Sequence, residues 1–157
     1  MNFAWAERPF GPALIAVSAA AFMKTNATAE GVQTLPSGLQ YKVVASGPAG
    51  GVHPDRNDLA RVDYEGSLTD GTVFDSSFKR GAPAVFSPEQ VVPGWTEALQ
   101  LMKPGDEWLL YVPPELGYGE AGGPPLIPGN AVLVFRLKLL DVAPVPGGGR
   151  GVGAADV

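Results

Sequence analysis

Apolar and polar side chains alternate with a period of two through the middle of this chain. Leu39, Tyr41 and Val43 alternate with Gln40 and Lys42, the pattern of a half-buried strand. Val62, Tyr64, Gly66 and Leu68 interleave with Arg61, Asp63, Glu65 and Ser67. Thr69-Asp70-Gly71-Thr72 then supplies an Asp-Gly turn before Val73 and Phe74 resume the strand. Trp108, Leu110 and Val112 form a third set. Leu133, Phe135, Leu137 and Leu139, separated by Val134, Arg136 and Lys138, form a fourth. One stretch inside this region has helical spacing. Trp95, Ala98, Leu99 and Met102 fall on one face, Pro93-Gly94 precedes them and Pro104-Gly105 stops the run. The pattern predicts an α+β domain, an antiparallel β-sheet of about five to six strands curled around one short α-helix.

Composition divides the 157 residues into three zones. Residues 1–29 hold an apolar run from Gly11 to Met23, shorter than the roughly 20 residues that cross a bilayer. The run has the length of a signal-peptide core, and Ala27-Thr28-Ala29 is an A-x-A cleavage pattern. Against that, Glu7 cancels Arg8, so the segment also reads as an N-terminal helix kept in the mature protein. Both readings stand at this point. With cleavage the protein is exported or periplasmic; with retention it is cytoplasmic or membrane-associated through its N-terminus. Residues 30–142 carry the domain. Residues 143–157, rich in glycine and with little to bury, read as a disordered C-terminal tail.

The chain holds 21 glycines, 16 prolines and no cysteine, with 11 basic against 16 acidic side chains. Glycine and proline at this density favour short strands joined by turns. A net charge of −5 argues against nucleic-acid binding, which needs clustered cations. The lack of cysteine removes disulfides, thiol nucleophiles and thiolate metal sites. A single histidine, His53, lies in a Gly/Pro-rich loop that shows no catalytic partner pattern. No G-x-S-x-G elbow and no phosphate-cradling glycine motif occur, and no metal or cofactor is expected.

Rings remain. Tyr64, Phe74, Phe86, Trp95, Trp108, Tyr111, Tyr118 and Phe135 are many aromatics for one small domain. On inward strand faces such rings are ordinarily core. Tyr118, flanked by Gly117 and Gly119, and Trp95, at the first turn of the helix, are placed instead to line a cavity.

Several phrases together resemble the FKBP-type peptidyl-prolyl cis-trans isomerases. Val62-Asp63-Tyr64-Glu65-Gly66 followed by Leu68-Thr69-Asp70-Gly71-Thr72-Val73-Phe74-Asp75-Ser76-Ser77 is similar to that family's first signature. Val91-Val92-Pro93-Gly94-Trp95 with Leu101-Met102-Lys103-Pro104-Gly105 resembles its helix segment. Pro113-Pro114-Glu115-Leu116-Gly117-Tyr118-Gly119, then Ile127-Pro128-Gly129-Asn130-Ala131 and Leu133-Val134-Phe135, follow in the same order. Phe22, Asn26, Gly31 and Val32 resemble the linker that precedes the domain in Mip-like members.

The resemblance implies an enzyme that turns X-Pro bonds in polypeptides during folding. Its catalytic residues would be Asp75, Trp95, Tyr118 and Phe135. Its substrate-binding residues would be Tyr64, Phe74, Phe86, Val91, Val92 and Ile127. Trp95 would floor the pocket, with Tyr64, Phe74 and Phe135 as walls. The Val92 N–H and the Tyr118 hydroxyl would hold peptide carbonyls, and Asp75 would polarise the pocket without proton transfer. Partners would be proline-containing polypeptides and macrolide inhibitors of the FK506 type. The oligomeric state is open on the sequence, with a monomer as the default. A non-catalytic proline-binding or chaperone module is the alternative. Two departures from the family pattern, the Gly119–Leu126 loop and Gly129 after Pro128, touch the rim of the site. Replacing Phe135 or Tyr118 by alanine is expected to reduce turnover with the fold intact.

Overall fold

The computed structural model describes residues 11–145. The charge pattern read at Glu7 and Arg8, and the tail from residue 146 onward, lie outside the described residues. Helix α1 (Gly11–Asn26) leads into seven strands: β1 (Val32–Thr34), β2 (Gln40–Ala45), β3 (Leu59–Leu68), β4 (Val73–Ser76), β5 (Ala84–Phe86), β6 (Glu107–Val112) and β7 (Leu133–Ala143). Between them lie α2 (Ser77–Arg80), α3 (Pro93–Leu101) and two single-turn 3₁₀ helices at Pro88–Gln90 and Pro114–Leu116.

The strands form one antiparallel sheet in the order β1-β2-β6-β7-β3-β4. Strand β5 pairs with the start of β3 (Ala60↔Phe86) on the edge whose far end pairs with β4 (Gly66↔Asp75). The sheet thus has seven strands where the pattern predicts five or six, because β1 and β5 are three residues long and too short to show periodicity. The same holds for α2, four residues capped by the Ser76 side chain accepting from Lys79 N–H.

Along β3 and β7 the alternation holds. Ala60, Val62, Tyr64, Leu68, Leu133, Phe135, Leu137 and Leu139 are buried, while Arg136 and Lys138 face outward. Helix α3 lies across this face with Trp95, Ala98 and Leu99 buried, followed by Met102. Pro93 at its first turn costs nothing, since the first N–H groups of a helix have no internal partner. Two tight turns need glycine. Gly71 closes the β3–β4 hairpin at φ 91°, and Gly105 follows Pro104 at φ 94° with its N–H bonded to Leu139 O.

Strand β2 departs from the alternation. Val43 is exposed and Gln40 is buried at 3%. Gln40 is buried because α1 packs against its face of the strand. Gln40 Nε2 donates to Met23 O at 2.9 Å, and Asn26 Nδ2 donates to Gln40 Oε1 at 2.8 Å. The ring of Phe22 stands 6.3 Å from that of Tyr111, the residue paired with Gln40 in the sheet. A side chain of the domain therefore adds a second hydrogen bond to Met23 O, which already accepts from Ala27 N–H at 3.0 Å. We expect Gln40→Leu to lower stability by about 1–3 kcal/mol, the cost of losing both hydrogen bonds and leaving Asn26 Nδ2 without this partner. Urea unfolding checks the loss, and hydrogen exchange should show it concentrated in the last turns of α1.

Candidate functional site

A cleft of about 500 Å³ opens between α3 and the concave face of the sheet. Its lining is Tyr64, Phe74, Asp75, Phe86, Gln90, Val91, Val92, Trp95, Tyr118 and Phe135. Each comes from a different local decision of the chain. Period two on β3 and β7 turns Tyr64 and Phe135 inward. The β4 and β5 strands, sharing one edge of β3, bring Phe74 and Phe86 to opposite ends of the cleft wall. The 3₁₀ turn before α3 sets Gln90, Val91 and Val92 along the rim, and the irregular backbone after Leu116 carries Tyr118.

Trp95 lies 3% exposed at the first turn of α3. Three rings meet it edge to face: Tyr64 at 5.0 Å, Phe135 at 5.2 Å and Phe86 at 5.9 Å, with interplanar angles of 80–84°. Such contacts contribute about 0.5–1.5 kcal/mol each beyond their burial. Its indole N–H has no hydrogen-bond partner among the described residues, so ring packing alone fixes this side chain. Phe74 meets Phe135 edge to face at 5.7 Å. Both rings sit where a side chain at position 66 would be. A Cβ on Gly66 would lie 2.6 Å from Phe74 and 2.7 Å from Phe135, so glycine on β3 makes room for the wall.

One polar cluster interrupts the apolar lining. Tyr64 Oη donates to Asp75 Oδ2 at 2.5 Å, Arg80 Nη1 donates to Asp75 Oδ1, and Arg80 Nη2 donates to Tyr64 Oη at 3.0 Å. The guanidinium also stands 5.5 Å from the Tyr64 ring centre. Burial by itself would raise the Asp75 pKa, but the hydrogen bonds from Tyr64 and Arg80 and the Arg80 charge outweigh it. They hold the carboxyl below the ordinary carboxylate range. Burial and the Asp75 hydrogen bond push the Tyr64 hydroxyl up, so it keeps its proton as a donor. Both Asp75 oxygens are occupied, and the group is an ionised anchor near neutral pH.

The structure brings nine of the ten sequence-chosen residues into this lining. It does not bring Ile127 there. Ile127 is 8% exposed in the apolar core and pairs through its backbone with Gly123, closing the loop that starts after Tyr118. Two residues were not chosen. Gln90 lines the rim, and Arg80 completes the Tyr64–Asp75 cluster. Arg80 lies five residues beyond Asp75 across a one-turn helix too short for periodicity to reveal. Gln90 had a legible signal, the Ser87-x-x-Gln90 capping spacing.

Comparison with known proteins follows the same outline. The family model described as FKBP-type peptidyl-prolyl cis-trans isomerase matches residues 50–140, and that of the domain amino-terminal to it matches residues 15–43. The chain is 52% identical over 122 residues to "Peptidyl-prolyl cis-trans isomerase Mip" of Coxiella burnetii, covering 78% of this chain and 52% of the relative. It is 48% identical over 124 residues to "Outer membrane protein MIP" of Legionella longbeachae, with 78% and 52% covered. The crystal structure of FkpA from Escherichia coli superposes with a TM-score of 0.79 at 43% identity, over 86% of this chain and 62% of that one. A peptidyl-prolyl cis-trans isomerase from Pseudomonas syringae pv. tomato gives 0.77 at 32% identity, over 87% and 98%. The chain spans about half the length of the curated relatives it matches.

Two outcomes are expected from this geometry. Gly66→Ala should displace Phe74 or Phe135 and lower stability by about 1–3 kcal/mol, read from the urea midpoint. Asp75, with its folded pKa below the unfolded value near 3.9, stabilises the fold above that value. This contribution disappears as pH falls through the lowered folded pKa. Asp75→Asn should flatten that part of the acid-unfolding curve, leaving the neutral region without a titration step from this residue.

Proposed function

Because the chain belongs to the FKBP-type peptidyl-prolyl cis-trans isomerase family, we propose that its cleft accelerates rotation about X-Pro bonds in polypeptides. The observation that carries this reading is the ring-floored cleft over Trp95. Amide resonance gives the C–N bond partial double-bond character and a barrier of about 18–20 kcal/mol. Twisting the bond localises the nitrogen lone pair and makes the carbonyl less dipolar. Water solvates the planar, more dipolar form better, so moving the imide into an apolar hollow favours the twisted form relative to it. Each ~1.4 kcal/mol of that difference gives about tenfold in rate. No acid or base is needed.

In this reading the proline ring rests on Trp95 between Tyr64, Phe74, Phe86 and Phe135. The Tyr118 hydroxyl and the Val92 N–H hold carbonyls on either side, and Val91 closes the rim. Val92 O already accepts from Trp95 N–H and Thr96 N–H, which ties that rim to the start of α3. Asp75 and Arg80 hold the Tyr64 ring in place. They act as positioning residues. Clients are proline-containing polypeptides, and an FK506-type macrolide is the inhibitor class the apolar cleft suits.

Helix α1 is read as a retained element. Support comes from its hydrogen bonds to Gln40 and from the match of residues 15–43 to the amino-terminal family model. Among the described residues no helix is long and apolar enough to cross a membrane. The printed name of the Legionella longbeachae relative, an outer membrane protein, supports the membrane-associated form of this reading over the cytoplasmic one. N-terminal sequencing of protein from fractionated cells tests retention and membrane association together.

Structure changes which variant tests the pocket. Phe135 is 4% exposed and touches both Trp95 and Phe74, so its alanine variant should lose about 3–5 kcal/mol. Tyr118, at 44% exposure, is the cleaner probe. Tyr118→Phe is expected to lower kcat/KM on a proline tetrapeptide by roughly tenfold, the value of one hydrogen bond. Its unfolding midpoint should match the parent. Parent protein that is folded yet turns the peptide no faster than buffer excludes the enzyme; peptide binding without acceleration would make it a binding module.

A further inference from the structure

Gln90 is an exposed residue on the rim of the cleft, two positions before Val92. Its side chain is tethered. The Ser87 backbone N–H donates to Gln90 Oε1 at 3.0 Å, closing the 3₁₀ turn Pro88–Gln90. A backbone N–H is a donor only, so the atom facing it must be the carboxamide oxygen. The two N–H donors of Nε2 are thereby directed away from that turn, on a side chain that borders the cleft. Most of the lining is hydrocarbon, and both oxygens of Asp75 already accept hydrogen bonds. Gln90 thus offers a side-chain donor on the rim of the cleft, besides the Tyr118 hydroxyl and the unpartnered indole N–H of Trp95.

Which end of a substrate meets this donor follows from the motion. When an X-Pro bond turns, one side of the peptide swings and the other must be held. The rim from Gln90 to Val92 is a fastened side, and it carries the Val92 N–H that holds a carbonyl in the isomerase reading. It is fastened by Gln90 N–H to Ser87 O, by Thr96 Oγ1 to Pro88 O at 2.6 Å, and by the first hydrogen bonds of α3. The proline ring and its own carbonyl belong there, and the residue that follows proline then lies along Gln90.

We propose that Gln90 is a specificity-determining residue that selects, immediately after proline, a side chain bearing a hydrogen-bond acceptor. This rests on the isomerase reading above. The geometry makes Nε2 the donor, with no proton moved and no covalent step. Aspartate, glutamate and the carbonyls of asparagine and glutamine are the matching chemistry.

The test is a pair of tetrapeptides carrying, after proline, either a glutamate γ-methyl ester, a neutral acceptor without donors, or norleucine, of similar length. Parent protein should turn over the ester about 3–10 times more efficiently than the norleucine peptide, through KM rather than kcat. Gln90→Met removes acceptor and donors, whereas Gln90→Glu keeps an oxygen for the Ser87 N–H and removes the donors. Both should bring the two peptides to equal efficiency. Equal efficiency in the parent overturns the proposal. So does an ester preference that survives in Gln90→Glu, since the turn and not the donor would then be responsible. Absence of acceleration over buffer on either peptide would instead defeat the isomerase reading itself.

Discussion

The contact on which the rest depends is the edge-to-face packing of Tyr64, Phe86 and Phe135 around Trp95. Four rings meeting at steep angles fix the shape of the floor over which the cleft opens. The indole belongs to the short helix, and its neighbours belong to three strands of the sheet. Helix and sheet therefore cannot shift relative to one another without reshaping the cleft. The shape and the apolar character of the floor come from the same contact.

Polar chemistry is confined to where it does not wet that hollow. The Asp75 carboxylate is neutralised by Arg80 and by the Tyr64 hydroxyl, on the wall and not the floor. A free carboxylate there would bring water with it, and water solvates the planar imide. The ion pair therefore favours the apolar character of the site while fixing one ring of its wall. At half exposure such a pair adds little to global stability. Its value is positional.

Much of this was legible in the chain. Strict alternation on β3 and β7 announced the inward rings, since one buried face leaves no other register. The prolines and glycines bracketing α3 marked its ends. Three features were hidden, each for a physical reason. Gln40 reads as an outward polar residue until α1 is seen lying on it, because burial by a distant helix leaves no periodic trace. Arg80 reaches Asp75 from a helix of a single turn, below the length at which spacing carries information. Ile127 sits in a stretch of glycines and prolines where no alternation exists, and its burial follows from the backbone bridge to Gly123. The family resemblance supplied the site residues that periodicity alone left undistinguished from core.

The central claim is that a dry, ring-lined hollow lowers the barrier to bond rotation without moving a proton. Exchange spectroscopy of a proline peptide, with and without the folded protein, measures that rotation directly in H₂O and in D₂O. The account predicts the same acceleration over the uncatalysed rate in both solvents. A clear loss of acceleration in D₂O would mean that a proton is in flight at the barrier, and would contradict it.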